Sequence, residues 1–287
     1  MTNSIIEKGY LSALAYAKAH YENFPVVSFF IPAQLRKHVA VVYQFARQAD
    51  DIADEGDFSR AERLNQLNAY EHRFNQAFVS ESEDPFWTAL VNSVTTMKLS
   101  KENFINLLKA FKMDVSKTRY SSFAEVLNYC RHSADPVGRI ILELHGIWGE
   151  KILAYSDSIC TALQLTNFVQ DVGIDYKKGR IYIPAEDITR FGVTEYHFEL
   201  KQNNSNFKSL IKYQILRNKE MFTEGYKLLE HLPARLKYQI QWTILGGERI
   251  LEKIIEIDYN VLNIRPKLNR FDVINLLAKT LLKKKNV

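Results

Sequence analysis

"VYQFARQADDIADEGD", residues 42–57, begins as a core helix and ends in five carboxylates: Asp50, Asp51, Asp54, Glu55 and Asp57. Negative charge is least welcome at the C-terminal end of a helix, where the backbone dipole already repels anions. Successive helical residues advance about 100°, so positions i, i+4, i+7 and i+11 share one narrow stripe. Tyr43, Arg47, Asp50 and Asp54 have that spacing, with Asp51 beside them. Apolar residues interleave, so the stripe borders the core. Glu55 and Asp57 read as solvated rim charges.

The stretch extends upstream as "LRKHVAVVYQFARQADDIAD", with Leu35, Val39, Val42, Phe45 and Ala49 at helical spacing. "KENFINLLKAFKMDV" and "SLIKYQILRNKEMFTEGYKLLEHL" repeat the pattern. "SFAEVLNYCRHSADPVGRIILELHGIW" reads as two helices or one kinked helix, broken near Pro136 and Gly138. There "DPVGR" could also be a loop. Irregular structure is expected over 80–85, 177–206 and 263–269. The 7 prolines and 11 glycines among 287 residues are too few for an all-β fold. The pattern predicts one all-α domain, residues 1–287, of about ten helices.

At 46% hydrophobic and 25% charged, the chain has the composition of a soluble globular protein with a sizeable core. Two cysteines, Cys130 and Cys160, make no disulfide framework, which points to a reducing compartment. No secretory leader and no run of about 18 apolar residues is present, so the expected location is the cytoplasm. A net charge of +5 suits anionic substrates or an anionic membrane surface and does not specify nucleic acid. The tail "LLAKTLLKKKNV" is either a solvated helix end or a patch for peripheral contact with the inner membrane face.

A second acidic stripe lies in "ALQLTNFVQDVGIDYKKGRIYIP", where Gln164, Asn167, Asp171 and Asp175 share a face. Lys177, Lys178, Arg180 and Tyr182 follow. Each stripe read alone could be a solvated acidic face. Against that, Asp is a mediocre helix former, and like charges four apart cost a few tenths of a kcal/mol each. A cation would remove the objection. All-oxygen donors suit Mg²⁺, which keeps waters and binds substrate phosphates with one or two carboxylates per ion. No CxxC or HExxH motif supports zinc, and no GxxxxGK[ST] loop supports a P-loop nucleotide site. Two facing Asp-rich helices with cationic side chains at the rim would clamp a diphosphate.

Here the sequence resembles the squalene/phytoene synthases, head-to-head isoprenoid synthases with an all-helical class I fold, a single-domain bundle around a central cavity. Their motif Tyr-x3-Arg-x2-Asp-Asp-x2-Asp is matched by Tyr43, Arg47, Asp50, Asp51 and Asp54. A second, Asn-x2-(Gln/Arg)-Asp-x3-Asp-x4-Arg-x-Tyr, is matched by Asn167, Gln170, Asp171, Asp175, Arg180 and Tyr182. The similarity runs from "YENFPVVSFFIP" to "GGERIL", and its wording is nearest the hydroxysqualene synthase branch of hopanoid biosynthesis. The resemblance implies conversion of presqualene diphosphate, with water, to hydroxysqualene and diphosphate. The alternatives are condensation of two prenyl diphosphates to squalene, dehydrosqualene or phytoene, and a non-catalytic assembly role.

The same resemblance implies that Asp50, Asp54, Asn167, Asp171 and Asp175 hold Mg²⁺, roughly two or three ions. Arg47, Asp51, Gln164, Gln170, Arg180 and Tyr182 would contact substrate, with Asn23 and Phe24 where relatives have a Ser-rich segment. Tyr43 joins the catalytic set. Many squalene synthases carry Tyr-Val-Ala-Gly where this chain has His132, Ser133, Ala134 and Asp135. That change argues against the full two-step reaction, so NADPH is not expected. His132 becomes a candidate for orienting the quenching water, with a structural histidine as the plain alternative, and Asp135 could simply cap a helix. Asp114, Arg119 and Tyr120 read as a salt-bridged structural element. Phe24, Phe29, Phe30, Phe45 and Trp242 are candidate walls for a carbocation or ordinary core. A presqualene diphosphate synthase upstream and a reductase downstream are the implied partners.

Overall fold

The computed structural model describes residues 2–20, 31–80, 82–273 and 275–276. The described residues are all-α, as expected, with thirteen α-helices and one 3-10 turn among them. Asn23, Phe24, Phe29 and Phe30 lie outside the described residues. Contacts group the chain into two compact units: described residues of Met1–Ser116 with Pro136–Gly149, and of Lys117–Asp135 with Glu150–Val287.

In the first unit, α1 (Thr2–His20) packs on α2 (Ala33–Asp54), followed by α3 (Arg60–Gln76), α4 (Pro85–Thr96) and α5 (Lys101–Ser116). The buried side of α2 runs through Leu35, His38, Val41, Phe45, Ala49 and Ala53. Val39 and Val42, expected on it, are only partly buried. The core stripe is rotated because His38 occupies an apolar slot, satisfied by a polar network. Its Nδ1 lies 2.9 Å from Ser93 Oγ, and Tyr10 Oη donates to Asn92 Oδ1 at 2.8 Å. Burial drives the imidazole down to about 4, so it sits neutral in the fold. Phe45 is fully buried, with its ring centre 5.2 Å from those of Phe74 and Phe104, so it is core.

The second unit starts with α6 (Phe123–Ser133), and α7 (Asp135–Leu144) carries the chain back to the first. The break falls at Ala134, and "DPVGR" is helical, with Pro136 in the first turn where its missing N–H costs nothing. Then come α8 (Glu150–Gln170), α9 (Val172–Lys177), α10 (Ala185–Arg190), α11 (Glu195–Glu199), α12 (Ser205–Gly225) and α13 (Ala234–Glu256). The expected irregular region 177–206 thus holds two short helices. Asp187 is buried, and the Arg217 guanidinium grips it from both nitrogens at 2.8 and 3.3 Å, with Gln214 donating at 2.9 Å. Burying that carboxylate without such donors would be costly.

Residues 263–273 are laid back over the second unit. Arg249 Nε donates to Asp272 at 2.7 Å, and Lys253 Nζ lies 3.0 Å from the same carboxylate. Burial opposes ionisation of Asp272. The Asn269 N–H, Arg249 and Lys253 outweigh it and pull the carboxyl to about 2.

Candidate functional site

In the first unit, α2 ends at Asp54, and Gly56 turns the chain at φ +78°. The dipole objection is answered locally. Arg63 Nη1 donates to the carbonyls of Ile52 and Glu55 at 3.0 and 2.9 Å, and its Nη2 to that of Gly56 at 2.7 Å. A guanidinium thus caps the negative end of α2, the role a metal was expected to fill.

A second guanidinium neutralises the carboxylates. Arg47 Nη1 lies 3.2 Å from Asp50, and its Nη2 lies 2.7 Å from both Asp51 and Glu55. Burial works against the Arg47 charge, but Asp51, Asp50 and Glu55 outweigh it and raise its pKa. Glu55, read as a rim charge, stays exposed yet shares Arg47. Asp54 is exposed at the last helical position. From α1, Tyr16 Oη donates to Asp51 at 3.3 Å, while Tyr43 Oη donates to the His20 carbonyl at 3.2 Å. Burial and then Asp51 push the Tyr16 phenol up to about 12, so it remains a donor.

In the second unit, Gln164, Asn167, Asp171 and Asp175 were expected on one uninterrupted helix. The helix instead breaks at Asp171, between α8 and α9. The turn is nonetheless continuous: Asp171 N–H donates to the Asn167 carbonyl at 2.9 Å, and Asp175 N–H to that of Asp171 at 2.8 Å. The shared face therefore survives, with Asn167 exposed and Phe168, Val169 and Gln170 buried behind it. The break falls beside Gly173, where a Cβ would meet the Leu262 carbonyl oxygen at 2.5 Å. Only glycine lets α9 come this close to the 261–262 backbone.

Asp175, Arg180 and Tyr182 come together around a cavity of about 10 Å³, walled by Phe168, Val172 and Phe198. Arg180 N–H donates to the Asp175 carbonyl at 2.8 Å. Tyr182 is buried, stacked on Phe168 at 3.9 Å within a cluster containing Tyr120 and Tyr129. Gln170 is also buried, and its amide donates to the Pro266 carbonyl at 2.6 Å. Arg119 pairs with Glu195 at 2.6 Å and donates to the Gly179 carbonyl, holding the loop before Arg180. His132 Nδ1 donates to the Asn128 carbonyl one turn earlier at 2.7 Å. Asp135 is buried and accepts from Thr161 Oγ1 at 2.9 Å. Trp242 is half-buried on α13.

One residue at this second site had no motif to announce it. Arg265 donates from Nε to Asp171 Oδ1 at 2.5 Å and from Nη2 to Oδ2 at 2.9 Å. The Asp171 pairing, reinforced by Asp175, raises the Arg265 pKa against the opposing effect of burial. "NIRPKLN" carries no periodicity, so nothing local ties this Arg to a carboxylate 94 positions away.

Carboxylate and amide oxygens fit a hard divalent cation in type. Among the described residues, no group of three or more His, Cys, Asp and Glu could hold a metal unaided. Guanidinium groups hold Asp50, Asp51 and Asp171.

The family model described as squalene/phytoene synthase matches residues 17–272. The chain is 32% identical to hydroxysqualene synthase of Rhodopseudomonas palustris over 248 residues, 85% of this chain and 83% of that one. It is 40% identical to hydroxysqualene synthase of Zymomonas mobilis over 187 residues, 64% of this chain. That match spans 62% of the Zymomonas protein, less than two thirds of its length. Among solved structures, squalene synthase HpnC from Alicyclobacillus acidocaldarius superposes with a TM-score of 0.85 at 36% identity, covering 89% of this chain and 96% of that one.

Proposed function

Because the chain belongs to the squalene/phytoene synthase family of isoprenoid synthases, which act on prenyl diphosphates, we propose that it ionises presqualene diphosphate and captures the cation with water. The C–O bond to diphosphate breaks, the oxygen of water bonds to the cation, and that water loses a proton. Products are hydroxysqualene and diphosphate.

Bound Mg²⁺ would supply Lewis-acid neutralisation of the leaving group, held by Asp50, Asp54, Asn167, Asp171 and Asp175. Arg47 and Arg180 bind diphosphate oxygens through charge-assisted hydrogen bonds. Asp51, Gln164 and Tyr182 complete the polar wall, and Tyr43 orients the α1 end against α2. The buried Gln170 supports the wall from behind. His132 is the candidate to orient water through its remaining ring nitrogen.

The observation that carries this reading is the 32% identity to hydroxysqualene synthase of Rhodopseudomonas palustris over 248 residues, with both acidic motifs intact in this chain. A second reading, condensation of two prenyl diphosphates to squalene, is favoured by the likeness to squalene synthase HpnC from Alicyclobacillus acidocaldarius. A presqualene diphosphate synthase would supply the substrate, and a reductase would consume the alcohol. Peripheral contact with the inner membrane face fits so apolar a substrate. No helix among the described residues is long and apolar enough to cross a membrane.

The test is mass spectrometry of products after separate incubations with farnesyl and presqualene diphosphates, with and without NADPH. An alcohol from presqualene diphosphate alone, abolished by EDTA, is expected. Consumption of farnesyl diphosphate would favour the second reading.

A further inference from the structure

Both oxygens of Asp171 are already engaged by the Arg265 fork. A cation approaching that carboxylate while the fork is closed meets the guanidinium's positive charge and only the lone pairs that the fork leaves, so it binds there weakly. The backbone that carries Arg265 is anchored on both sides. The neighbouring Pro266 is tied to the buried Gln170, Leu262 lies against Gly173, and Asp272 is locked to Arg249 and Lys253.

We propose that Arg265 couples cation binding at Asp171 to the arrival of diphosphate, by holding Asp171 until an anion draws the guanidinium away. The inference rests on the reading of Asp171 as a cation ligand. A guanidinium offers the same flat fork to a phosphate as to a carboxylate, and diphosphate carries more charge. As the fork moves to diphosphate oxygens, Asp171 is freed for the cation. Coupling of this kind is reciprocal, so cation and anion each bind weakly alone and tightly together. Arg47 differs, because it is shared among Asp50, Asp51 and Glu55 and can let one go while keeping the others. Arg265 is therefore a positioning residue whose effect is read in binding as well as in rate.

The experiment counts free Mn²⁺ by electron paramagnetic resonance in titrations of the full chain, with and without inorganic pyrophosphate. The Mn²⁺–pyrophosphate complex in buffer is measured in parallel, and thermal unfolding checks that each variant is folded. Arg265→Gln should bind Mn²⁺ alone about three- to fivefold more tightly than the parent, the range expected from removing a partly exposed ion pair. Its enhancement by pyrophosphate should shrink by a similar factor. Arg265→Lys, which keeps the charge and loses the fork, should fall between the two. An Arg265→Gln variant with unchanged Mn²⁺ affinity overturns the coupling, as does an Arg265→Lys variant identical to the parent. Asp171→Asn, titrated with pyrophosphate present so that the fork is open in the parent, separates the two ideas. If it weakens Mn²⁺ binding, the site reading stands whatever Arg265 does. If it binds Mn²⁺ like the parent, site reading and coupling fall together.

Discussion

Arg63 donates from Nη1 to the main-chain carbonyl of Ile52 at 3.0 Å, reaching back 11 positions from the first turn of α3 to the last turn of α2. A helix that ends in Asp50, Asp51 and Asp54 can therefore keep its carboxylates without a metal. Its macrodipole is capped by one guanidinium and its side-chain charge is shared with another.

Arg63→Ala should destabilise the protein by about 1–2 kcal/mol, because three carbonyls lose a charged donor at a partly exposed helix end. Urea unfolding measures it, and Arg63→Lys should recover only part of the loss, since an ammonium cannot span the same fork. A midpoint unchanged in the alanine variant would show that the cap is idle.

Asp50→Asn and Asp175→Asn should each lower diphosphate release by about 10²- to 10³-fold, the usual cost of removing one preorganised electrostatic group. Glu55→Gln, at an exposed carboxylate that only shares Arg47, should cost far less. Malachite-green assays on presqualene diphosphate, coupled to an inorganic pyrophosphatase that converts the released diphosphate to phosphate, give the comparison. Equal losses at Glu55 and Asp50 would point to helix stability instead of chemistry.

His38 introduces an acid sensitivity. Its pKa is about 4 in the fold against 6.5 when free. Between those values the unfolded chain takes up a proton that the fold does not. Stability therefore falls as pH drops from 6.5 toward 4, by up to about 3 kcal/mol. His38→Gln should flatten that part of the stability profile, as followed by thermal melts in matched buffers.

Asp272 works at lower pH. Its carboxyl is held at about 2, below its ordinary 3.8. Its contribution is complete above pH 3.8 and disappears as pH falls through 2. Asp272→Asn should cost about 2 kcal/mol at neutral pH, with parent and variant converging near pH 2.

The helical stripes were legible because they depend on local spacing alone. Tyr43, Arg47 and Asp50 fall on α2 as expected, and Asp171 and Asp175 keep a shared face across a break that the spacing did not reveal. The rotation of the α2 core was not legible, since His38 looks polar until Tyr10, Asn92 and Ser93 are seen around it. Arg63 and Arg265 were missed for the same reason. Each acts on a group contributed by another segment, and no periodicity within "RAERL" or "NIRPK" records that partner. Burial separated core from candidate wall at Phe45, which residue type alone left open.

Gly173→Ala should destabilise the protein by about 1–3 kcal/mol, because the new methyl meets backbone at Leu262 and cannot be relieved by a rotamer change. Hydrogen exchange should quicken at residues 261–266 and at α9 together. Exchange confined to one of them would show that the two are independent.

Pinning Pro266 to Gln170 and Asp272 to Arg249 and Lys253 changes how the end of the chain should be trimmed for crystallography or fusion. A stop codon after α13 would remove more than a tail. The second acidic stripe would lose the segment packed behind α9, the guanidinium on Asp171 and the lock on α13 in one cut. The safe boundary lies beyond the buried Leu276, however irregular the sequence between 257 and 269 looks on paper.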